Sequence, residues 1–113
     1  MRILVRVTPG AEPKLADWAR HRMELTLNRF AGSVRSLTVR IGDINGPRGG
    51  VDQHCSVVVR LAASRRHIVI DEIAEESGMA VARAAERTAR AVARALKSVN
   101  DRRIARPGYW RHI

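Results

Sequence analysis

Five cations recur at spacings of four, three, four and three in a segment near the end of the chain. On a helix these side chains fall within about 40° of one line, and they repel one another. Like charges at such spacings cost roughly 0.2 to 0.5 kcal/mol per pair, and only Glu86 lies nearby to compensate. A bound polyanion would relieve the repulsion, although a solvated face of good helix formers has the same pattern. The five cations are Arg83, Arg87, Arg90, Arg94 and Lys97.

Other arginines could extend this basic surface, although each alone could equally be plain surface. Those on the first predicted helix are Arg20, Arg22 and Arg29. Arg48 lies at the tip of a glycine-rich loop, and Arg102 and Arg103 follow the last helix. Further candidates on or beside predicted strands are Arg35, Arg40, Arg60, Arg65 and Arg66.

A catalytic site would need a nucleophile within hydrogen-bond reach of a base, and the candidates are Cys55 with His54 or His67. Adjacent strand residues point to opposite faces, so Cys55 and His54 cannot easily pair, and Cys55 is predicted to lie in the core. His21 and His112 likewise have no metal-ligand spacing. We therefore expect no catalysis, no metal, no cofactor and no small-molecule substrate.

The segment 42–52 contains four glycines and lies between predicted strands. It lacks the Gly-Lys-Ser/Thr ending of a P-loop and the closing glutamate of a calcium loop. It is either a long hairpin connection or a loop that contacts an RNA backbone through Arg48.

The aromatic residues fall into two groups. Trp18 and Phe30 lie on the apolar stripe of the first predicted helix and are predicted to be core residues. Tyr109 and Trp110 lie in a basic tail, where they could stack on bases or pack back onto the domain.

Composition supports a polyanionic partner. The 113 residues are 45% hydrophobic and 28% charged, which is typical of one globular domain. The net charge is +10, and 19 of the 21 basic residues are arginine, which binds phosphate in a bidentate manner. A GC-rich genome would also inflate arginine. No apolar run approaches the ~18 residues of a membrane span, so a cytoplasmic location and no membrane partner are expected.

Periodicity predicts four strands, at 2–7, 34–41, 55–61 and roughly 67–73. Helical spacing predicts one helix from Pro13 to Phe30 and another from Ser77, as the N-cap, to about Val99. The fold class is therefore α+β, with the order βαβββα and two helices packed on one face of a four-stranded sheet. Residues 1–99 would form the domain and 100–113 a weakly ordered basic tail with aromatic residues.

These features together resemble a known family. The element order, Leu27-Asn28-Arg29-Phe30 closing the first helix, the strand Leu37-Thr38-Val39-Arg40-Ile41 and the arginine-rich last helix are similar to ribosome hibernation-promoting factors. This family is also called ribosome-associated inhibitors or sigma-54 modulation proteins. The segment 41–52 resembles the longer loop of one branch, and the chain length corresponds to the short form. Thr88 stands where the family usually has a core leucine.

The resemblance implies a non-catalytic translation inhibitor that silences translation under stress or in stationary phase. It implies binding to rRNA of the small ribosomal subunit, in the channel used by mRNA and tRNA. The cations of the last helix would contact this rRNA, and Arg87 and Arg90 match a lysine and an arginine of the family. The alternative is a general RNA- or DNA-binding module unrelated to the ribosome.

Overall fold

The structure is a computed structural model that describes residues 1–43 and 52–105, those from 99 onward by their backbone alone. Its strands are β1 (Arg2–Val7), β2 (Val34–Asp43), β3 (Gln53–Leu61) and β4 (His67–Ala74). Helix α1 spans Lys14–Leu27 and continues into a 3₁₀ turn at Asn28–Phe30, and helix α2 spans Ser77–Ala105. The predicted α+β fold with the order βαβββα is confirmed.

The four strands form one mixed sheet in the order β1-β2-β3-β4. β1 and β2 pair in parallel, so the chain must cross over between them, and α1 provides the crossover. β2, β3 and β4 pair antiparallel. Helix α1 packs on α2 and β1, and α2 also packs on β3 and β4.

The core lies between the two helices and one face of the sheet. Alternate strand residues such as Leu37, Val39 and Val57 are fully buried against Met23 and Val81 of the helices. The small side chains of α2, at Ala80, Ala84, Ala85 and Ala89, are buried as well and allow close approach of the helix to the sheet. Both helices cover the same face, so no helix of the described residues lies over the opposite face of the sheet.

Thr88 is fully buried in this core, where the family resemblance predicts a leucine. Its hydroxyl donates a hydrogen bond of 2.6 Å to the carbonyl of Ala84, one turn earlier on the same helix. A threonine is therefore accommodated without an unsatisfied polar atom.

Strands β2 and β3 are longer than predicted and include Gly42, Asp43 and Gln53. Thr8 donates to the carbonyl of Ile41 through its backbone N–H (3.0 Å) and its hydroxyl (3.1 Å). A Cβ atom at Gly42 would lie only 2.5 Å from the Thr8 hydroxyl oxygen. Glycine at this position therefore lets the chain leaving β1 lie directly against β2.

Three predicted helix boundaries are wrong. Pro13 is the N-cap of α1 rather than its first residue. Ser77 is the first helical residue rather than the N-cap, and its hydroxyl donates to Gln53 Oε1 at 3.1 Å. Helix α2 also continues past Val99 to Ala105, across the predicted start of the tail. The segment 100–105 contains no glycine or proline, and the first such residue is Pro107, so nothing in the sequence stops the helix at Val99.

Candidate nucleic-acid interface

The outer face of α2, defined here as Arg83, Arg90, Arg94 and Lys97, is opposite the buried stripe of the helix. All four side chains are exposed, and none has an ion-pair partner within the described part of the chain. With a rise of 1.5 Å per residue, the row extends over roughly 21 Å. An exposed, uncompensated row of this kind can contact several phosphates of one polyanion.

Arg87 differs from its four predicted companions because it is bound to the sheet. Its Nη1 donates to the carbonyl of Asp71 (2.7 Å) and to Glu72 Oε2 (2.5 Å) on β4. The Glu72 side chain is only 19% exposed, so its charge needs a nearby partner. Arg87 therefore joins α2 to the last strand, and only its remaining N–H groups face solvent.

Arg22 is also engaged within the protein. Its guanidinium Nη2 lies 3.7 Å from Glu86 Oε1 on α2. The Arg22 Nε atom is buried and has no hydrogen-bond partner among the described residues. The side chain thus lies between the two helices, whereas the sequence suggested a free position on the basic surface.

The other two candidate arginines of the first predicted helix make contacts within the first part of the chain. Arg20 Nη1 donates to the carbonyl of Ile3 on the edge strand β1, at 2.5 Å. Arg29 lies in the 3₁₀ turn, with its guanidinium carbon 4.7 Å from the centre of the Phe30 ring. Both are exposed, and the contacts they make are to Ile3 and Phe30 rather than to α2.

Several predicted site residues fall outside what the structure describes. Arg48, Tyr109 and Trp110 lie outside the described residues altogether. Arg102 and Arg103 lie on the backbone of α2, but their side chains are not described. Their contribution to binding stays a prediction.

Cys55 and its neighbouring histidines are separated by the sheet. Cys55 is fully buried on the core face, as predicted, and His54 is on the opposite face. Burial, followed by the nearby charges of Asp71 and Glu72, raises the pKa of the Cys55 thiol to about 12. The His54 Nε2 atom instead contacts Asp71 Oδ1 at 3.0 Å. At neutral pH this thiol is protonated, so it does not supply a nucleophile.

Trp18 is not a core residue, which corrects the sequence-based prediction. Its side chain is 42% exposed, and a Cβ atom on Gly78 would lie 3.7 Å from Trp18 Cη2. The ring therefore covers the first turn of α2, where Gly78 leaves space for it. Phe30 is partly buried and packs against the core. Helical periodicity alone does not distinguish the core from such a boundary position.

The open face of the sheet is a second basic surface, which sequence reasoning identified only in part. Arg2 and Arg6 on β1, Arg40 on β2 and Arg60 on β3 are all exposed there. Arg40 and Arg60 were candidates, whereas Arg2 and Arg6 were not. The alternation in β1 places Ile3, Val5 and Val7 toward the core, and it therefore indicates that Arg2 and Arg6 lie on the open face.

Among the described residues, no group of three or more His, Cys, Asp or Glu side chains could hold a metal ion. Within the same residues, no helix is both long and apolar enough to cross a membrane.

The fold and charge define a basic βαβββα domain with exposed cations on two opposite faces. The fold is similar to that of a ribosomal subunit interface protein from Coxiella burnetii, with a TM-score of 0.65 and 12% identity over 86% of this chain and 99% of that one. It is also similar to the N-terminal domain of Thermus thermophilus Protein Y, with a TM-score of 0.60 and 20% identity over 83% and 98% of the two chains. At these identities the likeness establishes a shared fold. Neither a protein-family model nor a curated protein matches the sequence.

Proposed function

We propose that this protein is a ribosome-associated translation inhibitor that binds rRNA of the small ribosomal subunit. The observation behind this proposal is the exposed row of cations on α2, Arg83, Arg90, Arg94 and Lys97, in a fold similar to a ribosomal subunit interface protein. Among the described residues these cations have no ion-pair partner, so phosphate can bind them without displacing a carboxylate of that part of the chain. Binding in the channel for mRNA and tRNA would block translation in stressed or resting cells without any chemical step.

The chemistry of the domain is consistent with a binding role rather than catalysis. The candidate nucleophile Cys55 is buried, and burial raises the pKa of its thiol to about 12. His54 is held by Asp71 on the other face of the sheet. The proposal also implies a cytoplasmic location, because small ribosomal subunits are there.

The predicted tail would add to the same interface. Arg102, Arg103, Arg106 and Arg111 would neutralise phosphates, and Tyr109 or Trp110 would stack on a base at roughly 1 to 3 kcal/mol. The loop residue Arg48 would supply a further phosphate contact.

Sedimentation with purified small subunits tests the proposal directly. Wild-type protein should migrate with the subunits in a sucrose gradient, and its affinity should fall about a thousandfold between about 50 and 200 mM salt if six phosphates are neutralised. The Arg90→Glu/Arg94→Glu variant should fold normally, because both side chains are exposed, and should bind far more weakly. The matched control is Glu75→Lys, which changes an exposed charge just before α2.

Competition separates this proposal from a general nucleic-acid module. Free duplex RNA and duplex DNA should displace the protein from small subunits only at large excess. Equal affinity for these duplexes and for subunits would favour the general module, and a flat salt response would exclude phosphate-dominated binding altogether.

A further inference from the structure

The open face of the sheet has a regular arrangement of side chains set by the strand register. Neighbouring rows are two residues apart along each strand, or about 6.7 Å. The first row is Arg2, Ser36, Arg60 and His67, the second is Leu4, Thr38, Val58 and Val69, and the third is Arg6, Arg40, Ser56 and Asp71. A mainly apolar row thus runs between two rows that contain arginines.

Within residues 1–43 and 52–105, nothing covers the middle row. Leu4 is 43% exposed and Val69 is 57% exposed, and Ile73 beyond the row is 54% exposed. A shallow groove of about 510 Å³ runs over Leu4, Thr38 and Val58, and arginines border it. Contiguous apolar surface rimmed by charged side chains is typical of a binding surface.

The charges around this row are unbalanced. None of Arg2, Arg6, Arg40 and Arg60 has an ion-pair partner within the described part of the chain. The strands place one carboxylate on this face, that of Asp71, and it contacts His54. Arg6 and Arg40 are direct cross-strand partners, an arrangement that is unfavourable without a counterion.

The chemistry of the face favours one occupant. A second copy of this chain would bring four more arginines against the first four, so self-association through this face is opposed by charge. An RNA duplex would offer phosphates and hydroxyls but nothing apolar to cover Leu4 and Val58. An unpaired strand offers phosphates to the arginines, base faces to their guanidinium planes, and base and sugar surface to the apolar row.

We infer that the open face of the sheet binds an unpaired segment of RNA, with the arginines of the outer rows on its phosphates and the Leu4–Val58–Val69 row against its bases. The domain then contacts RNA on two opposite sides, through the outer face of α2 and through the sheet. This inference rests on the proposed function, because it takes rRNA of the small subunit as the partner.

Charge reversal on the sheet tests the inference. Arg6→Glu/Arg40→Glu keeps a pair of like charges on exposed positions, and thermal unfolding should verify that the fold is retained. We expect its affinity for small subunits to fall by about a hundredfold and the slope of log affinity against log salt to lose about two units. The control Lys14→Glu reverses an exposed positive charge at the start of α1, outside both surfaces, and should lose less than about fivefold.

The pattern of losses separates this inference from the proposed function. If Arg90→Glu/Arg94→Glu loses binding while Arg6→Glu/Arg40→Glu behaves like its control, the sheet does not bind RNA and the proposed function stands. If neither variant binds more weakly than wild type, both ideas fail. Fluorescence anisotropy with a short unstructured RNA oligonucleotide gives a second measurement. The sheet variant should lose as much affinity for this oligonucleotide as for small subunits, and the protein should not prefer a duplex of equal length.

Crosslinking identifies what lies on the sheet. Val69→Cys places a thiol on the exposed row, whereas the native Cys55 is buried and stays unmodified. When a benzophenone attached at position 69 is irradiated in the presence of small subunits, it should form an adduct that nuclease digestion removes. An adduct that only protease removes would assign the face to a protein partner, and no adduct would leave the face uncovered. Either result overturns the inference.

Discussion

The two exposed faces of the domain have similar charge but different surroundings. Carboxylates lie close to the α2 row and hold its neighbours: Glu72 binds Arg87, and Glu86 lies by Arg22. The row itself and the sheet arginines Arg2, Arg6, Arg40 and Arg60 have no ion-pair partner among the described residues. The α2 row is wholly polar, whereas the arginines of the sheet border an apolar row.

This difference indicates two kinds of contact. A polar row of cations along one helix binds phosphates largely independently of base identity. A surface that combines arginines with exposed leucine and valine can also cover bases, and it therefore favours RNA whose bases are unpaired. A domain with both surfaces would therefore recognise a site where RNA lies on two sides of it and is unpaired on the side of the sheet.

Combining the two charge reversals gives the largest expected effect. A quadruple variant at Arg6, Arg40, Arg90 and Arg94 should bind small subunits at least about ten-thousandfold more weakly than wild type if four phosphate contacts are lost. Sedimentation at several salt concentrations would measure this loss. Losses that add, in free energy, would indicate two independent RNA contacts, since distant sites are normally additive. A quadruple variant no weaker than the helix variant would mean that a single face binds.

The burial of Cys55 on the core face of β3 can be tested through the pH dependence of the free energy of unfolding. Burial, followed by the charges of Asp71 and Glu72, raises the pKa of the Cys55 thiol from 9.0 to about 12 in the folded protein. The unfolded chain loses this proton first, so the stability from the neutral thiol is complete below about pH 9 and is lost as pH rises toward 12. Between pH 8 and pH 10.5 wild type should lose about 2 kcal/mol more than Cys55→Ala.

Denaturant unfolding of both proteins at the two pH values would measure this difference. Equal losses would show that the thiol is not shielded by the core. The benzophenone experiment would then need Cys55→Ala as its background.

Arg87 and Arg90 should behave differently although they are three residues apart on one helix. Arg87→Glu places a carboxylate beside Glu72 and removes the hydrogen bond to Asp71, so we expect a loss of about 1 kcal/mol in stability. Arg90→Glu should change stability by less than about 0.5 kcal/mol, because Arg90 has no ion-pair partner to lose among the described residues. Thermal unfolding distinguishes them, and equal melting temperatures would place Arg87 back among the free cations.

Much of the architecture could be predicted from local pattern. The alternation of Ile3, Val5 and Val7 identified β1, and the spacing of Val81, Ala85 and Val92 identified the buried side of α2. Such periodicities follow from backbone geometry, so they are visible without any tertiary contact. The predicted ends of the strands were less accurate, because pairing of Asp43 with Gln53 extends β2 and β3 beyond the predicted residues.

The sequence by itself determined the element order, the cation row along α2 and the burial of Cys55, because each depends on spacing within one element. Only the tertiary structure decided which cations remain free. Arg87 reaches Glu72 across 15 positions of the chain, and Arg22 meets Glu86 on another helix. Likewise, the alignment of Arg6 with Arg40 arises from the parallel pairing of two strands separated by a helix. Electrostatic interactions act through space rather than along the chain, so charge counts predict a polyanionic partner, whereas folded contacts select the residues available to bind it.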